Sequence, residues 1–186
     1  MNTPTVLVLA SGRGERFTAS GGQGSKLHAL IDGVRVIDHT LAAVRASRLP
    51  FHVEDAGHAG MGDSIAAAVQ ATRNADGWLV LPADLPLIQP ASLLAVAAAL
   101  DRHPVVVPFY RETKGHPVGF AKSCLDELLA VSGEEGAATV VRSYAARGQV
   151  HRLALDDVGT VTDIDTIGDV DKVRALMLPR RPEQSA

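Results

Sequence analysis

The sequence contains a single cysteine, Cys124, which excludes both an intramolecular disulfide framework and a cysteine-built zinc site. Aromatic side chains are scarce, 4% of the chain with one tryptophan. The core must therefore be made of small aliphatic groups, as when helices lie on a parallel sheet. There is no excess of positive charge. The formal net charge is -3, so neither nucleic acid nor an anionic membrane surface is expected as a partner. No apolar run approaches the ~20 residues that span a bilayer. The run Val6–Leu9 has no basic lead and no cleavage-type ending, so it reads as a first strand, not a signal peptide. The expected location is cytoplasmic. His28, His39, His52, His58, His103 and His151 form no pair at helical spacing, so no zinc site is evident.

What is present fits one globular domain: 186 residues, 46% hydrophobic and 21% charged. We expect a single domain over 1–178. The polar, Pro-containing 179–186 reads as a frayed, disordered tail. Buried strands are expected at Val6–Leu9, Phe51–Val53, Trp78–Leu81, Val105–Pro108, Pro117–Phe120 and Val150–Leu155. Helices are expected at Val36–Arg48, Ile65–Thr72 (with Asp63 as its N-cap), Pro90–Leu100, Ser123–Val131, Ala137–Ala146 and about Asp169–Leu176. Ser11–Ser25 reads as a loop, made flexible by Gly21-Gly22-Gln23-Gly24. Strands alternating with helices predict a mostly parallel, Rossmann-like α/β sandwich of right-handed units. Ligands of such sheets bind beyond the carboxyl ends of the strands.

Three strand-following stretches could carry chemistry. Ala10-Ser11-Gly12-Arg13-Gly14-Glu15-Arg16-Phe17, with Lys26 beyond, combines glycines that bare amide N–H groups with three cations. That suits a triphosphate, although an ordinary surface loop could also carry these residues. No Gly-Lys-Ser/Thr opens a helix, so it is not a P-loop. The glycines are misplaced for a dinucleotide turn, and no acidic residue is expected to end the second strand in the appropriate context. Redox chemistry with NAD is therefore disfavoured. Asp84, between Pro82 and Pro86 at the end of a buried strand, is a rigid carboxylate suited to Mg²⁺ or to capping a helix. Asp163 and Asp165, two residues apart, point the same way on an extended chain. They read either as a second metal arm or, with Asp169 and Asp171, as a helix N-terminus. His116, in Gly115-His116-Pro117-Val118, reads as structural or acceptor-side and not as a general base.

Taken together, these motifs resemble those of the MobA-like NTP transferases. Leu9–Phe17 with Lys26, Gly60-Met61-Gly62-Asp63-Ser64, Pro82-Ala83-Asp84-Leu85-Pro86, Gly115–Val118 and Asp163-Ile164-Asp165-Thr166 occur in the family's order. The resemblance runs from Val6 to about Val173 and is nearest to the MocA branch, the molybdenum cofactor cytidylyltransferases. It implies a sheet of the glycosyltransferase-A type and a nucleotidyltransferase that uses an NTP and Mg²⁺. Ala10, Ser11, Gly12, Arg13, Gly14 and Lys26 would bind the nucleotide's phosphates. Gly60, Met61 and Ser64 would hold base and ribose. Arg16, Lys26 and Asp84 would be catalytic, and Asp84 and Asp165 would hold the metal. His116 and Asp163 would support the site or the acceptor.

The resemblance points to CTP as donor and to a phosphorylated acceptor such as molybdopterin, with a molybdenum hydroxylase as a possible partner. Rival readings are a GTP-using or sugar-phosphate enzyme of the same fold, and a non-catalytic chaperone for molybdenum enzymes. The chain departs from the family in one place. Only Leu49–Gly60 separates Arg48 from Met61, where the family carries a strand-helix-strand, so one βα unit is expected to be missing.

Overall fold

A computed structural model of the chain describes residues 3–12 and 14–177. The sequence expectations for Arg13 and for the tail 179–186 lie outside these described residues. The central sheet is built on β1 (Thr5–Leu9), flanked by β4 (Phe51–Glu54) and β5 (Gly77–Pro82), both parallel to it. β4 is the edge strand. On the far side of β5 come β8 (Val118–Ala121), β6 (Val105–Tyr110) and the short β7 (Thr113–Lys114), with β9 (Val150–Ala154) also paired to β6. β8 runs antiparallel to both β5 and β6, whereas β9 is parallel to β6. The sheet is thus mostly parallel but mixed, in keeping with the expected fold, with β8 antiparallel to both of its neighbours.

Period-two alternation explains why both faces are apolar. Val6, Val8, Leu79, Leu81 and Val106 face α2 (Val36–Ser47) and α4 (Pro90–Ala99), which present Leu41, Val44, Leu93 and Val96. Leu7, Leu9, Trp78, Val80, Val105 and Val107 face the other way. They meet α3 (Met61–Ala71), α5 (Leu125–Leu129) and α6 (Ala138–Ala146) through Ile65, Val69, Leu128 and Val140. Cys124 is buried in this second layer. No helix among the described residues is long and apolar enough to cross a membrane.

A third, smaller cluster was not legible in sequence. The stretch read as loop contains α1 (Glu15–Ala19), and Phe17 of that helix is buried with Ile31, Val36, Ile164, Val170 and Val173. Ile31 belongs to a small hairpin of β2 (Leu30–Ile31) and β3 (Val34–Arg35), and Val170 and Val173 to α7 (Ile167–Met177). Gly22 lies against the Phe17 ring, where a Cβ would come within 2.2 Å of Cε1. The glycines therefore serve packing there, and not only freedom of movement.

Candidate active site

Leu9, Glu54 and Pro82 are in register at the carboxyl edge of β4, β1 and β5. The chain leaves this edge at Ser11 and Gly12, at residues 55–60 and at Asp84. Gly14 adopts the left-handed conformation (φ 63°), which lets the chain turn directly into α1. The third acidic stretch arrives from the distant C-terminal region. Gly159 packs so closely on Leu87 that a Cβ would lie 2.1 Å from its carbonyl oxygen. Two backbone bonds complete the docking: His116 N–H donates to Thr160 O (2.9 Å), and Ile164 N–H donates to Asp84 O (3.0 Å). That last bond brings Asp163 and Asp165, which flank Ile164 in the chain, to the Asp84 loop.

The result is a triad of carboxylates. One oxygen each from Asp84, Asp163 and Asp165 lies within 4.8 Å of the others. Lys26 Nζ sits among them, 2.6 Å from Asp84 Oδ2 and 2.8 Å from Asp165 Oδ1, and Arg16 Nη1 is 2.9 Å from Asp165 Oδ2. Burial pulls the Lys26 ammonium's pKa down, but Asp84 and Asp165 beside it outweigh burial and leave it above its usual value. The bond from Lys26, then Arg16, holds Asp165 below the usual carboxylate range. Asp163 is pushed up, first by burial and then by the Asp84 and Asp165 charges.

Asp84 Oδ1 is buried and has no hydrogen-bond partner. An orphaned carboxylate oxygen, in a triad already gathered around one cation, is the donor set a hard divalent ion requires. The acids that follow divide between the two sequence readings. Asp169 Oδ2 accepts from the N–H groups of Asp165 and Thr166 and from the Thr166 hydroxyl, so it caps α7. Asp171 pairs with Arg174.

Beside the triad opens a cleft of about 500 Å³, lined by the glycine turn, Lys26, Asp84, Asp165 and the start of α3. The Ser11 and Ser64 hydroxyls are 2.7 Å apart and tie the turn to that helix. α3 begins at Met61, so Asp63 is not its N-cap. Asp63 instead accepts from the Gly133 N–H (3.1 Å), while Gly62 N–H donates to Gly133 O.

The sequence profile of the MobA-like NTP transferase domain matches residues 43–150, more than half of the chain. The chain belongs to the MobA-like NTP transferase family. As a MobA-like transferase it resembles solved structures along almost its whole length. A nucleotidyl transferase from Methanothermobacter thermautotrophicus superposes with a TM-score of 0.79 at 19% identity, over 95% of this chain and 98% of that one. Rv0371c of Mycobacterium tuberculosis, solved with manganese, gives 0.72 at 22% identity over 94% and 98%. The molybdopterin-guanine dinucleotide biosynthesis protein A of Archaeoglobus fulgidus gives 0.63 at 18% over 92% and 97%. At these identities the likeness is one of fold. Comparison with curated proteins gives no match.

In this MobA-like transferase, Ser11, Gly12, Gly14, Arg16, Lys26, Gly60, Met61, Ser64, Asp84 and Asp165 all line the one cleft. Ala10 does not. Its N–H is engaged by Glu54 O (2.8 Å) in a continuation of the sheet. Asp163 joins the triad from outside the cleft lining.

His116 is also outside the lining, with an unpartnered, buried Nδ1. Burial, reinforced by Lys114, lowers its pKa to about 4. Sequence reasoning missed His58, Glu54 and Glu134. His58 and Glu134 line the cleft, and Glu54 does close the second of the parallel strands, contrary to the expectation that no acid would do so.

Proposed function

We propose that this chain transfers a nucleoside monophosphate from an NTP, with CTP preferred, to a phosphorylated acceptor of the molybdopterin type, as in the MocA branch. The observation that carries the proposal is that Asp84, with its orphaned oxygen, and Asp165 line one cleft with the glycine turn, Arg16 and Lys26, and Asp163 completes the triad beside them. An oxygen of the acceptor's terminal phosphate attacks the α-phosphorus. The bond between the α-phosphorus and the bridging oxygen breaks, and pyrophosphate leaves with that electron pair. Phosphoryl chemistry of this kind needs position and charge more than a proton-transfer group, which agrees with a neutral His116 set back from the cleft.

Mg²⁺, held by Asp84 and Asp165 with Asp163 beside them, would offset charge on the phosphate oxygens. Lys26 and Arg16 supply positive charge for the leaving pyrophosphate. The N–H groups of the Ser11–Gly14 turn orient the phosphates, and Ser64, bonded to Ser11, fixes the turn against the ribose side. We read 1–178 as one catalytic domain, resident in the cytoplasm, that delivers its product to a molybdenum hydroxylase.

Pyrophosphate release measured over a panel of NTPs, with Mg²⁺ and a phosphorylated pterin, tests the reading. Asp84→Ala should reduce turnover by at least about 10³-fold with the circular dichroism of the fold unchanged. Near wild-type turnover by that variant at saturating NTP and Mg²⁺ refutes it.

A further inference from the structure

A second groove, of about 330 Å³, opens between α6 and the far strands of the sheet. Its floor is Phe109 and Val150, its opposite wall is Val141 and Ala145 of α6, and its rim carries Lys114 and Arg152. Strand pairing explains why these side chains meet. Phe109 and Lys114 are direct partners in the hairpin of β6 and β7. Val150 and Arg152, two residues apart on β9, point the same way. The Arg152 guanidinium lies 3.9 Å from the centre of the Phe109 ring. Its ion pair with Glu112 spans 3.8 Å between exposed side chains and holds it only weakly. Lys114 is exposed and, among the described residues, has no carboxylate paired with it.

The register of the sheet sets this groove beside the triad. Val6, Leu79, Gly119 and Val106 form one row across β1, β5, β8 and β6. Leu9, Pro82 and Phe109 each stand three residues beyond that row, at the carboxyl edge. Leu9 and Phe109 also pack into the same layer, so cleft and groove open at one edge and on one face. Between Lys114 and Gly119 the chain carries two more residues than between Val106 and Phe109, and it bulges there. The bulge holds His116, whose N–H donates to Thr160 O in the segment that leads to Asp163. The His116 ring, lowered in pKa first by burial, is lowered further by Lys114 and raised by Asp163. It therefore stands within electrostatic reach of both pockets and partitions them.

We propose that the groove is the acceptor subsite and takes a phosphate monoester carrying a flat ring system, with the ring on Phe109 and Arg152 and the phosphate drawn by Lys114 toward the triad. The inference rests on the nucleotidyltransferase reading of the cleft and names the class of its second substrate. A planar ring gains from stacking on an aromatic floor and on a guanidinium plane. A sugar phosphate would set its hydroxyls against Phe109, Val141 and Val150 without partners, and unpaired polar groups are penalised. Lys114 attracts a phosphate as a point charge, without the fork by which an arginine fixes its geometry. That suits a group that must reach the α-phosphorus in the neighbouring cleft. The groove itself makes and breaks no bond.

Calorimetric titration of the full chain with a phosphorylated pterin in Mg²⁺, beside a sugar phosphate of equal charge, tests this. Wild type should bind the pterin at least about tenfold more tightly than the sugar. Ala145→Trp fills the groove from an exposed position on α6 and should weaken the pterin at least about tenfold. Lys114→Ala should raise the acceptor's KM about tenfold in pyrophosphate release, with kcat within about twofold of wild type. CTP affinity in Mg²⁺, read on both variants, should stay within about twofold, because the cleft and the fold are untouched.

Unchanged pterin affinity in Ala145→Trp overturns the proposal, as does an unchanged KM in Lys114→Ala or a wild type that binds the sugar phosphate as tightly as the pterin. Equal losses of CTP and pterin affinity in the variants also overturn it, since groove and cleft would then not be separate sites. All these results leave the nucleotidyltransferase reading standing. A wild type that binds no NTP at all in Mg²⁺ overturns that reading and this inference with it.

Discussion

Lys26 stands where the chemistry and the stability of the site meet. Without nucleotide, its ammonium is the cation that neutralises Asp84 and Asp165. Lys26→Ala would leave the buried Asp84 and the part-exposed Asp165 carboxylates facing one another with only the exposed Arg16 nearby. Breaking such a pair from one side costs more than the pair contributes, because the remaining charges stay partly desolvated. We expect Lys26→Ala to lower the stability of the ligand-free protein by about 1–3 kcal/mol in denaturant unfolding. The same variant should bind Mn²⁺ alone more tightly than wild type, since a competing cation is gone, yet turn over at least about 100-fold more slowly. Tighter unfolding stability or weaker Mn²⁺ binding in this variant would remove Lys26 from the triad's charge balance. Asp84 and Lys26 were legible in sequence because each follows a recognisable strand or glycine turn, and Asp165 because it stands two residues from Asp163. The pairing of Glu54 with His58 was not. It depends on a loop curling back over four residues, which leaves no periodic trace.

At the scale of elements, strand existence and the mostly parallel sheet were readable, but not which strand runs against the others. Val118-Gly119-Phe120-Ala121 looks like any buried strand, and direction is not written in such a run. The spacing did carry the answer: 111–117 is too short for the dozen or more residues of a parallel crossover, so β6 and β8 had to be antiparallel. α1 was hidden for the opposite reason, since one helical turn among glycines and serines shows no period and only the burial of Phe17 reveals it. The segment Val158–Val161 has no sequence signature either, yet it delivers Asp163 and Asp165 to Asp84. Its attachment is testable at Gly159, where any Cβ would collide with the Leu87 main chain. Gly159→Ala should cost about 1–3 kcal/mol in thermal unfolding and should weaken Mn²⁺ binding as the two aspartates move off the Asp84 loop. A variant with wild-type Mn²⁺ affinity would show that the docking of this segment does not set the triad.

For the molecule as a whole, the same docking makes stability depend on pH in two separate windows. His116 lies just before β8, against Val80 of β5 and the Thr160 segment, and its ring resists protonation until about pH 4. In the unfolded chain it titrates near 6.5. Between those values the unfolded state binds a proton that the folded state refuses, so falling pH favours unfolding. Stability is therefore complete above pH 6.5 and declines progressively down to about 4. Three carboxylates act lower, whereas Asp163, raised above its ordinary 3.8, works the other way and contributes only below its raised value. Glu54, Asp165 and Asp169 are held below their ordinary values of 4.5, 3.8 and 3.8, so their contribution is present above those values and is lost as pH falls through the depressed ones. Lys26, raised above 10.5, loses its contribution only at the alkaline end. The acid limb should consequently show two steps, and His116→Gln should flatten the upper one, recovering on the order of 2 kcal/mol relative to wild type by pH 4 while leaving the lower step in place. Denaturant unfolding at half-unit pH intervals measures this directly. An unchanged slope between pH 6.5 and 4 in the variant would mean that the convergence at His116 is open enough to admit the proton in the folded state.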